Sequence, residues 1–316
     1  MKVKKLAIVQ LPPVFLNLTK SIEIACDSIT EAAREGAQLV MFPEAYLPGY
    51  PSWVWRLRPG GDMLMFKELH HVLFKNSIDL SKNQLSDIQE TAKKKNVTVA
   101  IGFNEINSEA SGSTLFNSYA IIGPDGEILN LHRKLIPTNP ERMVWGWGDA
   151  RGLNVVDTPA GKIGSLICWE NYMPLSRFSL YAQGVEVYLA PTWDCGESWL
   201  GTLKHIAREG GCWVAGCSTA IQCCDIPDDV PFKDDVFPEP DDWLSDGDAV
   251  LFKPFGGAVA GPMSREKGIL YAEYDLEEVI DARRSLDIGG HYSRPDIFNL
   301  TVDKSKMDSF HLKKAS

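Results

Sequence analysis

The sequence predicts an α/β fold in which two mixed β-sheets pack together with helices on the outside. Three observations lead there. Segments of apolar β-formers alternate with segments whose apolar residues recur at helical spacing, a layered α/β pattern. Gly123-Pro124-Asp125-Gly126 joins two expected strands and has the residue types of a tight hairpin, so the strands cannot all be parallel. About a dozen strands are expected, more than one twisted open sheet usually carries.

In chain order, Lys4 to Gln10 reads as a buried strand. Leu18, Ile22, Ala25, Ile29 and Ala32/Ala33 then fall on one helical face, and Gly36 supplies the stop before a strand from Gln38 to Phe42. Leu64, Leu69, Leu73 and Phe74 place His70 and His71 in a helical stretch. A helix from Gln84 to Lys95 leads into a strand from Val97 to Phe103, and the hairpin pairs Phe116–Ile122 with Glu127–Leu131. Later strands are expected at Val155–Asp157, Ile163–Ile167, Val185–Ala190, Trp213–Cys217, Ala249–Phe252 and Gly268–Tyr274.

The 316 residues, 44% hydrophobic and 23% charged, suit a globular chain able to bury roughly 75% of its unfolded surface without disulfides or a structural metal. No internal repeat or composition shift divides it, so one domain over 1–316 is expected. The net charge of −10 is uneven: Asp225 to Asp246 holds nine acidic residues, one lysine and four prolines, and is expected to be a solvated loop. The remainder is nearly neutral and has no basic stripe for nucleic acid. No apolar run approaches the ~20 residues of a membrane span. Gln10 and Pro12-Pro13 interrupt the apolar stretch after the basic N-terminus too early for a secretory signal, so a cytosolic location with reduced cysteines is expected.

Three reactive side chains fall at the ends of expected strands, where α/β sheets usually bind ligands. These are Glu44 in Phe-Pro-Glu, Lys134 in His-Arg-Lys, and Cys168 in Cys-Trp-Glu. A thiol with a carboxylate base and an ammonium would make an activated nucleophile with electrostatic support. Taken singly, each has an ordinary structural explanation, since cysteine is often buried and Glu or Lys is often a solvated charge. Cys195, Cys212, Cys217, Cys223 and Cys224 near His205 lack the paired spacing of a zinc site and read as small buried hydrophobes. Gly164-Ser165 has no G-x-S-x-G frame, and the paired glycines precede no Lys-Ser/Thr.

The blocks around these residues are MFPEAYLPGYPSWVW, LHRKLIPTNPERMVWGWGD and GKIGSLICWENYMPLSRFSLYAQG. Together with Ala190-Pro191-Thr192, Gly261-Pro262 and His291 to Asp296, they resemble the nitrilase superfamily, and Cys168-Trp169-Glu170 resembles its nitrilase branch. The resemblance covers Lys4 to about Leu300. It implies a four-layer αββα sandwich with Glu44, Lys134 and Cys168 as catalytic triad, Glu141 beside the lysine, and the backbone N–H of Trp169 as an oxyanion donor. It further implies hydrolysis of an organic nitrile to a carboxylic acid and ammonia through a cysteine thioimidate, with no cofactor or metal. Cyanide hydration or an amidase reaction with the same residues is the alternative, and a catalytically silent scaffold is the non-enzymatic one. Expected partners are a nitrile, water and further copies of the chain in a homodimer or larger assembly, with no nucleic acid and no membrane. Tyr50, Trp145, Trp169 and Trp193 are the aromatic candidates for the substrate pocket, alongside a packing role for these tryptophans and for Trp53, Trp55 and Trp147. A short C-terminal tail is expected from about 301.

Overall fold

A computed structural model describes residues 3–305; the C-terminal tail expected from about 301 lies outside the described residues after 305. The first sheet holds β1 (Lys4–Val9), β2 (Leu39–Met41), β3 (Thr98–Ile106), β4 (Leu115–Ile122) and β5 (Ile128–Arg133). The second holds β6 (Val156–Thr158), β7 (Gly161–Ser165), β8 (Val187–Pro191), β9 (Trp213–Cys217), β10 (Ala220–Gln222), β11 (Trp243–Phe252) and β12 (Ala258–Ser264). The chain then returns to the first sheet as β13 (Ile269–Tyr274). Strand order is β13-β1-β2-β3-β4-β5 in one sheet and β10-β11-β9-β8-β7-β6 in the other, with β12 on β11. Both mix parallel and antiparallel pairs; β3–β4–β5 is an antiparallel meander turned at Gly123–Gly126.

Side-chain alternation along the strands builds the layers. On β1, Leu6 and Ile8 point inward and meet Ile163, Val187, Leu189 and Leu251 of the other sheet. Ala7 and Val9 face outward, against Ala25, Ile29 and Ala32 of α1 (Leu18–Arg34). The helix α2 (Met63–Lys75) precedes α3 (Ser86–Lys95), whose Ile88 and Ala92 join that outer layer. On the opposite outer face, α4 (Pro174–Tyr181) and α5 (Glu197–Gly210) contribute Leu180, Trp199, Leu203 and Ile206 against Tyr188, Val214 and Val250. The result is the expected αββα sandwich. At ~1.5–3 kcal/mol per buried large aliphatic side chain, the inter-sheet layer and the helix–sheet layers each contribute substantially to cohesion. Asn17 caps α1 by accepting the N–H of Lys20 at 3.1 Å, and Gly36 adopts φ +86° where the helix ends.

Three expectations are corrected. The strand leading to Cys168 ends at Ser165, not Ile167, because the chain leaves the ladder to form a short 3-10 turn from Cys168 to Tyr172. The strand leading to Lys134 runs on to Arg133, so His132 lies within it. The acidic segment 225–246 is not merely solvated: it contains α6 (Lys233–Val236) and the start of β11, and buries Val230, Val236 and Phe237 against Phe15 and Trp53. Most of its acids are exposed, while Asp225 and Asp246 are half-buried and paired with Lys267 and Arg265. No period-two pattern announces β12, which is mostly exposed along its length, and α7 (Glu277–Ser285) carries only Val279 and Ala282 as buried residues. Among the described residues no helix is long and apolar enough to cross a membrane.

Candidate active site

Three strand ends and one short turn converge. After β2, Phe42 N–H still donates to Ala100 O at 2.8 Å, and Ala45 then takes φ +49° as the chain crosses toward β3. The crossing needs Gly102, where a Cβ would stand 2.3 Å from Pro43 O. This delivers Glu44 to the interior. Lys134 follows β5, its N–H donating to Asn117 O at 2.8 Å and its carbonyl accepting Gly148 N–H at 2.9 Å. Gly148 is required there, because a Cβ would lie 2.2 Å from Arg133 O.

Cys168 has φ +53° at the mouth of its 3-10 turn. A left-handed conformation costs an L-residue ~1–2 kcal/mol, offset here by the hydrogen bonds that hold it. Asn171 Nδ2 donates to Cys168 O at 2.7 Å and Leu166 O at 3.0 Å, and Tyr188 OH donates to Asn171 Oδ1 at 2.7 Å. Glu141 sits in a second 3-10 turn, Asn139–Met143, where its Oε2 accepts Thr138 N–H at 2.6 Å.

The fully buried Lys134 ammonium donates to Glu44 Oε1 at 2.8 Å and to Glu141 Oε2 at 2.7 Å. Asn117 Nδ2 donates to the same Glu44 oxygen at 2.7 Å, and Tyr50 OH donates to Glu141 Oε1 at 2.7 Å. One cation is thus shared by two carboxylates. Burial, opposed by Lys134 and reinforced by Glu141, pushes the Glu44 carboxyl up to about 7. Burial disfavours the Lys134 charge, but Glu44 and Glu141 outweigh it and keep the ammonium charged. Burial and the charge of Glu44 push the Cys168 thiol well above its ordinary range, against the pull of Lys134 and a hydrogen bond with Thr192. The site at rest therefore holds a protonated thiol, an ammonium and a carboxyl poised near neutrality. Glu44 Oε2 is buried with no hydrogen-bond partner among the described residues, which leaves it free to accept a proton.

Cys168 opens onto a cavity of about 140 Å³, lined also by Glu141, Tyr50, Trp55, Thr138, Trp169, Trp193 and Asp194. Glu44 and Lys134 are not among the lining residues, but Lys134 donates to Glu141, which is. Trp193 stacks on Tyr50 with centroids 4.2 Å apart, and Trp169 Nε1 donates to Asp194 Oδ2 at 2.8 Å. Trp145 is not among the residues lining this cavity: it is buried, edge-on to Tyr50 at 5.5 Å, with its indole N–H donating to Asn104 Oδ1 at 2.9 Å. The bridge between Trp145 and Leu115 draws it into the core, so it supports Tyr50 instead of lining the pocket. Of the other tryptophans, Trp53 is core and Trp147 is exposed.

Several residues at the site were not singled out from sequence. Glu170 Oε2 accepts Ile167 N–H at 2.7 Å, its Oε1 accepts Leu135 N–H at 2.6 Å, and His132 Nε2 lies 2.9 Å from Oε2. Burial opposes this carboxylate's charge, but His132 and the two N–H donors hold it below the usual range. Asn117, within a strand buried along its whole length, was detectable as a polar residue among apolar neighbours. Thr192 stood in the Ala190-Pro191-Thr192 stretch of the resemblance but with no role assigned, and Asp194 carried no signal. The cysteines resolve as mixed packing: Cys212, Cys217 and Cys223 are buried while Cys224 is exposed, and no metal-holding cluster occurs among the described residues.

The fold and this arrangement define a class, and the comparisons agree with it: the model of the carbon–nitrogen hydrolase family matches residues 5–284, and the chain belongs to that family. Within it, the chain falls in the nitrilase branch. It is 39% identical to nitrilase 3 of Arabidopsis thaliana, over 95% of this chain and 87% of that protein. It is 36% identical to an aliphatic nitrilase of Sinorhizobium fredii, over 94% and 95% respectively. The crystal structure of Saccharomyces cerevisiae Nit3, a member of branch 10 of the nitrilase superfamily, superposes with a TM-score of 0.71 at 18% identity, over 92% of this chain and 97% of that one, and shows the shared fold.

Proposed function

We propose that this chain is a nitrilase, converting an organic nitrile and two waters to a carboxylic acid and ammonia. The observation that carries the reading is the buried Lys134 ammonium between Glu44 and Glu141, with Glu141 and the Cys168 thiol lining one cavity. Its membership of the nitrilase branch supports the same substrate class.

The Cys168 sulfur attacks the nitrile carbon while Glu44 takes the thiol proton and passes it to the nitrogen. The C–S bond forms as one C–N π bond breaks, giving a thioimidate. Water, deprotonated by Glu44, adds to it; the C–N bond then breaks and ammonia leaves, giving a thioester. A second water breaks the C–S bond, releasing the acid and restoring the thiol. Lys134, with the backbone N–H of Trp169, stabilises the charge that develops in each tetrahedral intermediate, and a fixed ammonium out of water does so far better than a solvated one. Glu141 holds Lys134 in place, and Tyr50 holds Glu141. Tyr50, Trp169 and Trp193 contact the substrate. No step calls for a metal or cofactor. We place the enzyme in the cytosol as a single-domain chain assembling at least as a homodimer, consistent with its seven unpaired cysteines.

Incubation with a nitrile panel, scoring acid, amide and ammonia separately, tests this. Acid and ammonia in equal amounts are expected; amide as main product would indicate a hydratase, turnover of amides alone an amidase, and no turnover a silent scaffold.

A further inference from the structure

We propose that a second cavity beside the catalytic one is a distal subsite for nitriles carrying a planar ring with an anionic hydrogen-bond acceptor; this rests on the nitrilase reading above. The cavity at Cys168 encloses about 140 Å³, below the ~300–1,000 Å³ that usually holds a small ligand. Beside it lies another of about 380 Å³. Trp55 and Trp193 stand in both walls, so the boundary between the two spaces is made of indole-bearing residues. Tyr50 fixes both: its hydroxyl accepts Trp55 Nε1–H at 2.9 Å, and its ring stacks on Trp193.

The outer cavity adds Ser52, Arg56, Trp243 and Leu244. With Trp55 and Trp193, Trp243 gives three indoles around one space, which favours a flat π-bearing group over a flexible chain. Two groups then ask for a hydrogen-bond acceptor. Ser52 is 4% exposed, and its hydroxyl has no partner among the described residues, an arrangement native proteins rarely leave unexplained. Arg56 makes one long hydrogen bond, 3.4 Å to Val236 O, and packs 5.7 Å from the Phe237 ring, with no ion pair among the described residues. Because the charged side chain on this wall is cationic, the wall selects a carboxylate or similar acceptor over an ammonium. A short aliphatic nitrile would reach Cys168 and leave the outer space to water.

The test compares kcat/KM, by ammonia release, for propionitrile, phenylalkyl nitriles with one to three methylenes, and their para-carboxyphenyl counterparts. The wild-type enzyme is expected to favour the best carboxyphenyl substrate over its phenyl analogue and over propionitrile, by roughly tenfold or more over the latter. In Arg56→Ala and in Trp243→Ala the ratio of carboxyphenyl nitrile to propionitrile falls roughly tenfold. Trp243 opens a strand, so its variant is checked by thermal unfolding; Arg56 is exposed, and its variant stands alone if the other fails to fold. Propionitrile turned over with no preference for either aryl series, or a ratio unchanged within about twofold in Arg56→Ala, overturns the subsite and leaves the nitrilase reading standing. Ammonia from none of the nitriles overturns both.

Discussion

The carboxylate of Glu170 accepts the backbone N–H of Leu135 at 2.6 Å, while its other oxygen accepts that of Ile167 at 2.7 Å. Leu135 follows Lys134 and Ile167 precedes Cys168, so one buried side chain ties the loop bearing the ammonium to the loop bearing the thiol. Glu170→Gln places an NH₂ where an acceptor is needed, at a cost of ~1–3 kcal/mol for the N–H it leaves unpaired. The expected outcome is a lower unfolding midpoint together with a kcat reduced roughly tenfold or more and KM changed little, because a displacement of about 1 Å costs on the order of a hundredfold. Wild-type kcat would show that the loops hold their geometry without the clamp.

Cys168→Ala removes the sulfur proposed to attack the nitrile carbon. Ammonia release is expected to vanish while the circular dichroism spectrum is retained. The substitution also exchanges a strained thiol for a smaller residue at the same φ of +53°, so the unfolding midpoint should move by no more than a few degrees. Measurable turnover in this variant would remove Cys168 from the mechanism.

The acid limb of the pH profile follows from Glu44. A general base works only when ionised, and burial sets this carboxyl at about 7, so kcat/KM should rise as pH increases through that value and level off above it. Asn117 donates to the ionised form and pulls the value down. Asn117→Ala therefore moves the limb to higher pH, by about one unit for a hydrogen bond of ~1.5 kcal/mol to a charged group. An unmoved limb would assign it to another group.

Lys134→Met leaves two carboxylates buried without their cation, a change that typically destabilises by roughly 3–5 kcal/mol. Without the ammonium, which pulls the Glu44 carboxyl down, Glu44 is more readily protonated, and its neutral form buries at smaller cost. The stability difference from wild type should therefore shrink as pH falls from 8 towards ~5, in denaturant titrations. A difference independent of pH would mean the ammonium does not compensate these charges.

Tyr50→Phe deletes the donor to Glu141 Oε1 and the acceptor of Trp55 Nε1–H. We expect kcat to drop roughly tenfold as Glu141 and Lys134 loosen, and KM to rise as the indole of Trp55 loses its anchor. A KM effect alone would confine Tyr50 to substrate contact.

How much of this was legible in the sequence differs from element to element. The unbroken apolar run Leu6-Ala7-Ile8-Val9 announces a strand buried on both faces, and the Gly123–Gly126 hairpin announces the antiparallel meander, because side-chain type and turn chemistry are local properties of the chain. Glu44, Lys134 and Cys168 could be chosen because reactive groups stood at the ends of apolar runs within blocks resembling a known family. Trp145 looked equivalent to Trp193 in composition and proximity to those blocks, and only the bridge to Leu115 separates the one in the core from the one at the cavity. The burial of Val230, Val236 and Phe237 within an acidic, proline-rich stretch was likewise hidden, since the surface that receives them comes from residues far away in sequence.

The sequence by itself determined the layers, the hairpin and the identities of the reactive groups, all set by short-range patterns of side-chain type. Tertiary structure alone decided that Lys134 is shared by Glu44 and Glu141, that Glu170 bridges two loops, and that Trp55 and Trp193 stand between two cavities. Those relationships span up to 138 positions in the numbering, from Trp55 to Trp193, and a hydrogen bond or a shared wall depends on distances of a few ångströms that no local period encodes.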